Sequence, residues 1–230
     1  MMLTLWRKTA STVLVGALFS VPLGAAAAAF QNGSFETPGV SAGTIFDITS
    51  ELQAPTGWVP GGALGNAALF YQGAGAFGTP SQDGLNMIGF GGNGSTGATL
   101  SQTFDTVAST SYTVSFFITA QQLGSGPQSF TAEAFNGVTS LGAESASIPV
   151  ALDWLSYSFS FMATGDSSTL RFTDTSNGVA AAGINWALDN VSVSAVPEPG
   201  AVGLMSLGLA ALAFLRRANR RASASRRMPE

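Results

Sequence analysis

The chain has 230 residues, of which 46% are hydrophobic and only 10% charged, against about 25% charged in an ordinary soluble protein. It holds no cysteine and no histidine, which excludes disulfides, Cys-based zinc centres, haem held by His or Cys, Ser-His-Asp triads and Cys-His pairs. Residues 30–195 carry eleven Asp or Glu against the single Arg171, a net −10, and no lysine; a phosphate-neutralising nucleic-acid surface, a Schiff-base lysine and a P-loop are thereby excluded.

In chain order, residues 1–29 predict a secretory signal. Arg7 and Lys8 form a positive start, Val13 to Leu23 an apolar run, and Ala25 to Ala29 a small-residue cleavage region. The Sec translocon and signal peptidase are the partners this pattern implies, with the mature chain starting near Phe30. No cysteine follows the run, so a lipid-modified N-terminus is not expected.

Residues 30–195 predict an all-β ectodomain. They contain 23 Gly and 6 Pro, with short period-2 alternations between these breakers. Ala67 to Tyr71, Leu85 to Phe90, Thr99 to Phe104, Tyr112 to Ile118, Phe130 to Phe135, Leu155 to Phe161 and Leu170 to Phe172 read as strands. In the last strand Ile184, Trp186 and Leu188 share one parity, and Val191 and Val193 the other. A bulge at Asp189-Asn190 would bring all five to one face. About nine short strands with turn signals between them predict a two-sheet β-sandwich, best as a jelly roll. Twenty aromatics are available to fill it. Gly91-Gly-Asn-Gly94 lacks the Lys and the helix of a phosphate loop. Arg171 stands opposite in parity to Leu170 and Phe172, so it is expected on the wet face beside an acid.

Asn32-Gly-Ser-Phe-Glu36, Gly57-Trp58 and Leu188-Asp-Asn-Val-Ser-Val193 are similar to segments of galactose-binding-like jelly rolls, a group that includes carbohydrate-binding modules. The resemblance implies that Glu36 and Asp189, on the first and last strands, share a structural calcium. The other reading has Asp189 capping a turn and Glu36 in solvent. Trp58, Trp154 and Trp186 are the candidates for stacking on sugar rings. Trp186 shares the core parity, Trp154 begins a strand, and Trp58 lies in the turn-rich Pro55 to Pro60. Trp58 is therefore the best glycan-binding candidate of the three, although core packing is the favoured reading of it. A glycosidase would need two carboxyls about 5–10 Å apart, and no spacing singles out such a pair.

The C-terminal region joins Val196-Pro197-Glu198-Pro199 to the apolar Gly200–Leu215 and then to Arg216 and Arg217. Sixteen residues rise about 24 Å as a helix, short of a ~30 Å hydrocarbon core, so the span is minimal. This three-part order resembles the PEP-CTERM sorting signal over 196–221, followed by a basic tail at 222–230. The resemblance implies recognition and processing by exosortase, with Pro197, Glu198 and Pro199 as recognition residues and Arg216 and Arg217 as the stop-transfer cluster. It implies export, a transient stay in the inner membrane, and release to the cell surface or extracellular matrix. The functional expectation is a non-catalytic surface or matrix protein associated with exopolysaccharide. A carbohydrate-binding module with a defined pocket is the alternative, and a secreted glycan-active enzyme a third.

Overall fold

The structure, a computed structural model, describes residues 29–65, 68–120, 128–149, 153–177, 186–197, 207–213 and 216, without the side chains of Phe77 and Asn93. Residues 1–28 of the predicted signal, Ile184, Glu198, Pro199 and Arg217 lie outside the described residues. Eleven strands are described: β1 (Ile45–Asp47), β2 (Val59–Gly62), β3 (Leu69–Gly73), β4 (Asn86–Phe90), β5 (Ala98–Asp105), β6 (Ser111–Ala120), β7 (Gln128–Asn136), β8 (Thr139–Ile148), β9 (Leu155–Met162), β10 (Ser167–Asp174) and β11 (Trp186–Ala195). They form two antiparallel sheets, ordered β1-β3-β4-β11-β6-β9 and β2-β5-β10-β7-β8. The expected all-β sandwich is what the chain forms.

Alternation builds the core. Val114, Phe116 and Ile118 of β6, Phe159 and Phe161 of β9, and Leu170 and Phe172 of β10 all turn inward and are buried, as period 2 requires. β11 pairs with β6 in one register up to Asp189 and in another from Ser192. The extra residue there, with Asn190 at φ 50°, switches the inward parity. Trp186 and Leu188 face the core before it, and Val191 and Val193 pack on the core after it. The predicted bulge is present and does the predicted job. Arg171 lies on the outer face of β10, 3.8 Å from the Glu133 carboxylate and 4.2 Å from the centre of the Phe135 ring.

The two motif segments at the ends of the sandwich sequence meet in space. Val191 N–H donates to Gly33 O at 2.9 Å, and a Cβ on Gly33 would sit 1.8 Å from Val191 O. Only glycine allows that approach. Asn32 binds the backbone of Thr37 and Thr56 through its side chain, and its carbonyl accepts the Trp58 indole N–H at 3.0 Å. The motifs are thus a structural knot joining the N-terminal segment, the turn before β2 and β11.

Candidate functional site

Trp58 is not a surface residue. It is 2% exposed, edge-on to Phe30 at 5.6 Å and tilted against Phe35 at 5.3 Å and Phe172 at 6.2 Å. The turn that carries it folds onto the core because its indole N–H finds Asn32 O there, which removes the cost of burying a donor. It offers no face to a sugar ring, and its expected stacking role is corrected on that ground. An open depression of about 620 Å³ is lined by Pro38, Leu52, Pro55, Trp58 and Val59 among others, so its walls are largely apolar, but Trp58 contributes almost no exposed surface to it. Trp186 is a core residue as its parity indicated, stacked 4.1 Å from Phe90, with its N–H on Asp174 Oδ1 at 3.2 Å.

Glu36 and Asp189 do come to one place, the loop of residues 74–85 between β3 and β4. Glu36 Oε1 accepts the N–H groups of Leu85 and Asn86, both at 2.8 Å, and Oε2 accepts Asn86 Nδ2 at 3.0 Å. Asp189 Oδ2 accepts the N–H groups of Gln82 and Asp83 at 2.8 and 2.9 Å, and Oδ1 accepts Asn190 N–H at 2.6 Å. Gly84 adopts φ +64°, and a Cβ there would lie 2.3 Å from Glu36 Oε1. The glycine supplies the left-handed turn and the room for the carboxylate. Calcium takes six to eight oxygens. What the two carboxylates meet here is a ring of N–H donors, whose positive ends oppose a cation. No group of three or more acidic side chains suited to a metal occurs among the described residues. The implied calcium does not fit this donor set. Asp189 caps the loop instead, and Glu36 is half-buried and bonded, not free in solvent.

The loop is longer than a hairpin needs, and its bonds reveal its path. Leu188 faces the core, so Asp189 points from the outer face of the six-stranded sheet. Gln82 and Asp83 sit on that carboxylate, and Asn190 Nδ2 donates to Gln82 Oε1 at 2.6 Å. Trp154, just before β9 at the far edge of the sheet, donates its indole N–H to Pro80 O at 3.1 Å. β11 and β6 lie between the loop's base and that contact. The loop therefore folds back as a strap across the outer face of the sheet.

Beneath the strap the face is buried although it lies outside the sandwich core. Gln72, Met87, Ala187 and Thr119 are each 0% exposed. Register places Gln72 beside Met87 and Phe70 beside Gly89; a Cβ on Gly89 would lie 2.0 Å from Phe70 Cε2, so the ring covers the glycine. Both polar atoms of the Gln72 amide, and the Thr79 hydroxyl on the strap, have no hydrogen-bond partner among the described residues. Burial of this kind is uncommon. Burial also pushes the Asp189 carboxyl up to about 7, against the pull of its three N–H donors and with a further push from Asp83. Asp174 is raised too, by burial. It faces inward from β10, so the six-stranded sheet stands between these two acids.

Sequence reasoning singled out Glu36, Asp189 and Trp154, and the structure brings all three to the strap. It missed Gln72, Thr79 and Met87. The one signal available was the polar Gln72, next to the end of the otherwise apolar β3 and one position beyond the predicted Ala67 to Tyr71.

Comparison with known proteins adds the tail and the fold. Residues 195–221 match the model of the PEP-CTERM protein-sorting motif. Of the expected sorting residues Pro197 and Arg216 are described, Pro197 exposed after β11 and Arg216 helical and exposed near the helix of residues 207–213. Among the described residues no helix is long and apolar enough to cross a membrane. No curated protein matches the chain. Among solved structures, the sandwich is similar to the carbohydrate-binding module TmCBM61, solved with β-1,4-galactotriose. The TM-score is 0.52 and the identity 16%, over 73% of this chain and 97% of that one. It also resembles the CBM22-1 xylan-binding domain of Paenibacillus barcinonensis Xyn10C, with TM-score 0.43 and 15% identity over 69% and 99%. The first of these likenesses establishes a shared jelly-roll fold.

Proposed function

We propose that this is an exported protein, sorted through its PEP-CTERM tail, whose sandwich binds carbohydrate at the cell surface or in the exopolysaccharide matrix without acting on it. The observation that carries the binding reading is the strapped face. There a buried amide with no partner, Gln72, lies beside Phe70 and Met87, with Thr119 and Trp154 toward the far side of the same sheet. An amide offers donors and an acceptor together, which suits adjacent sugar hydroxyls, and apolar side chains suit C–H faces. The TmCBM61 fold likeness is consistent with this reading. Against catalysis stands the placing of the two perturbed acids, Asp189 and Asp174, on opposite sides of a sheet. A carboxyl pair must share one cleft to work together.

The test is retention on a panel of immobilised polysaccharides beside a panel of chromogenic glycosides and esters. Retention that weakens in Gln72→Ala, with no turnover, is expected. Turnover abolished by replacing one Asp or Glu would overturn the non-catalytic reading. A protein retained by no polysaccharide would favour a purely structural matrix role. Processing of the tail is tested separately: Glu198→Gln is expected to leave precursor in the inner membrane, and mature protein that keeps Arg216 and Arg217 would refute sorting by exosortase.

A further inference from the structure

We propose that the strap of residues 74–85 is a lid, closed in this structure, and that an uncharged glycan chain enters the face beneath it by taking over the groups that latch it. The glycan half of this proposal rests on the function proposed above; the lid itself does not.

Three features separate a lid from an ordinary loop. Hairpins commonly close in two to five residues, whereas this connection runs from Ala74 to Leu85 and doubles back over its own sheet. At its base Glu36 accepts the Leu85 N–H; beyond the base it is held by polar bonds at two points, the Asp189 carboxylate with Asn190 near its middle and Trp154 Nε1 at Pro80, and by the buried Ala76 and Thr79. Its base is the Ala74 N–H to Leu85 O bond, a natural hinge. Within it Gly75, Gly78 and Gly84 hold left-handed turns. The closed state also leaves Gln72 and the Thr79 hydroxyl buried without partners. A permanent cover would be expected to satisfy or avoid them. A ligand that lifted the strap could bond the Gln72 amide.

The latch indicates how a ligand would compete. Asp189 accepts two backbone N–H groups of the strap, and Trp154 donates to a strap carbonyl. A sugar hydroxyl can donate to the same carboxylate and accept from the same indole. The strap therefore occupies the polar positions a glycan would use, as a tethered competitor. The charge on the face selects the ligand. The exposed Asp83 lies beside Asp189, and no Lys or Arg is among Gln72, Met87, Ala187, Thr119 and Phe70, so an anionic glycan is repelled and a neutral one admitted.

Thiol labelling tests this directly, because the chain has no cysteine. Met87→Cys places a thiol under the strap, and Ala132→Cys places one in the sandwich core; both sites are 0% exposed. Under native conditions the strap thiol is expected to label roughly tenfold or more faster than the core thiol, since local opening precedes global unfolding. Trp154→Phe should accelerate Met87→Cys and leave Ala132→Cys unchanged. If Met87→Cys does not fold, Ala187→Cys takes its place. Equal labelling of the two sites overturns the lid, and a rate indifferent to Trp154→Phe overturns the latch. Soluble dextran, galactan and xylan are then added in turn to Met87→Cys. A changed rate with a neutral polysaccharide, and none with an anionic one such as alginate, supports the glycan half. No change with any neutral polysaccharide overturns that half and leaves the lid standing.

Discussion

Replacing Gly89 by alanine tests the packing of the strapped face at a single contact. Gly89 lies in the middle of β4 outside the positive-φ region, so its backbone accepts alanine. Its neighbour does not: the new Cβ would lie 2.0 Å from Phe70 Cε2 and 2.2 Å from Cζ. The ring must move from a place where it is 1% exposed. Overpacking of this kind costs about 1–3 kcal/mol. Against it, alanine is favoured over glycine in a strand by roughly 0.5–1 kcal/mol. Gly89→Ala alone is therefore expected to destabilise by up to about 2.5 kcal/mol. In a Phe70→Ala background the obstruction is gone and only the gain of roughly 0.5–1 kcal/mol is left. The coupling between the two sites is then about 1–3 kcal/mol, well above the scatter for independent sites. Urea denaturation of the four proteins, followed by fluorescence of the buried Trp58 and Trp186, measures it. The same cost for Gly89→Ala with and without the Phe70 ring would refute the placement of that ring over Gly89, and with it the packing proposed for this face.

Trp58→Ala is expected to cost about 3–5 kcal/mol, as a large buried aromatic does, with polysaccharide retention unchanged at temperatures where the variant is folded; selective loss of retention in a stable protein would restore it as a ligand residue. Asp189, raised to about 7 by burial, sits above the unfolded value of about 3.9, so the native state binds a proton that the unfolded state has released between those values. Its stabilisation is full below about pH 4 and is lost as pH rises through 7, by at most about 4 kcal/mol. Urea midpoints from pH 4 to 8 should show that fall in the wild type and a flatter profile in Asp189→Asn, and identical profiles would refute the assignment. Because N–H groups surround Glu36 and Asp189, the melting temperature is expected to be the same in millimolar calcium and in chelator; a rise with calcium that Asp189→Asn abolishes would show that a cation displaces the clamp.

Much of the sandwich was legible because its strands carry strong local signals. Leu155 to Phe161 alternates hydrophobic and serine positions without a break, and β9 follows it. The parity change in β11 announced the bulge because five large residues can share a face only if one residue is inserted. β8 gave no such signal. It is an edge strand whose inward positions include Gly142, Ala146 and Ile148, so little apolar contrast marks its period. β1 and β2 are short, with three and four residues, and β2 contains Pro60. In the sequence Trp58 stays open between a ligand role and core packing because its flanks are turn formers. A turn decides the local backbone, not the side on which the side chain lies, and here the distant carbonyl of Asn32 decided that.

The site was legible only as a pair of addresses. The sequence pattern marks acids on the first and last strands, and a shared cation and a shared loop both satisfy that pattern. The difference lies in which backbone atoms the intervening loop presents. Carbonyls turned inward make a cation cage, and N–H groups turned inward make a clamp. That choice depends on the loop's φ and ψ values, here including Gly84 at +64°, and on a path that takes residues 80–83 back over the sheet to Asp189 and Trp154. Glycines along 72–84 show that the segment can turn; they do not show where it goes. The direction comes from contacts more than 70 residues away in sequence. A polar residue in an apolar strand is ambiguous alone. Beside a strap, on the outer face of the sheet, with its amide unbonded, it becomes a pointer to a ligand.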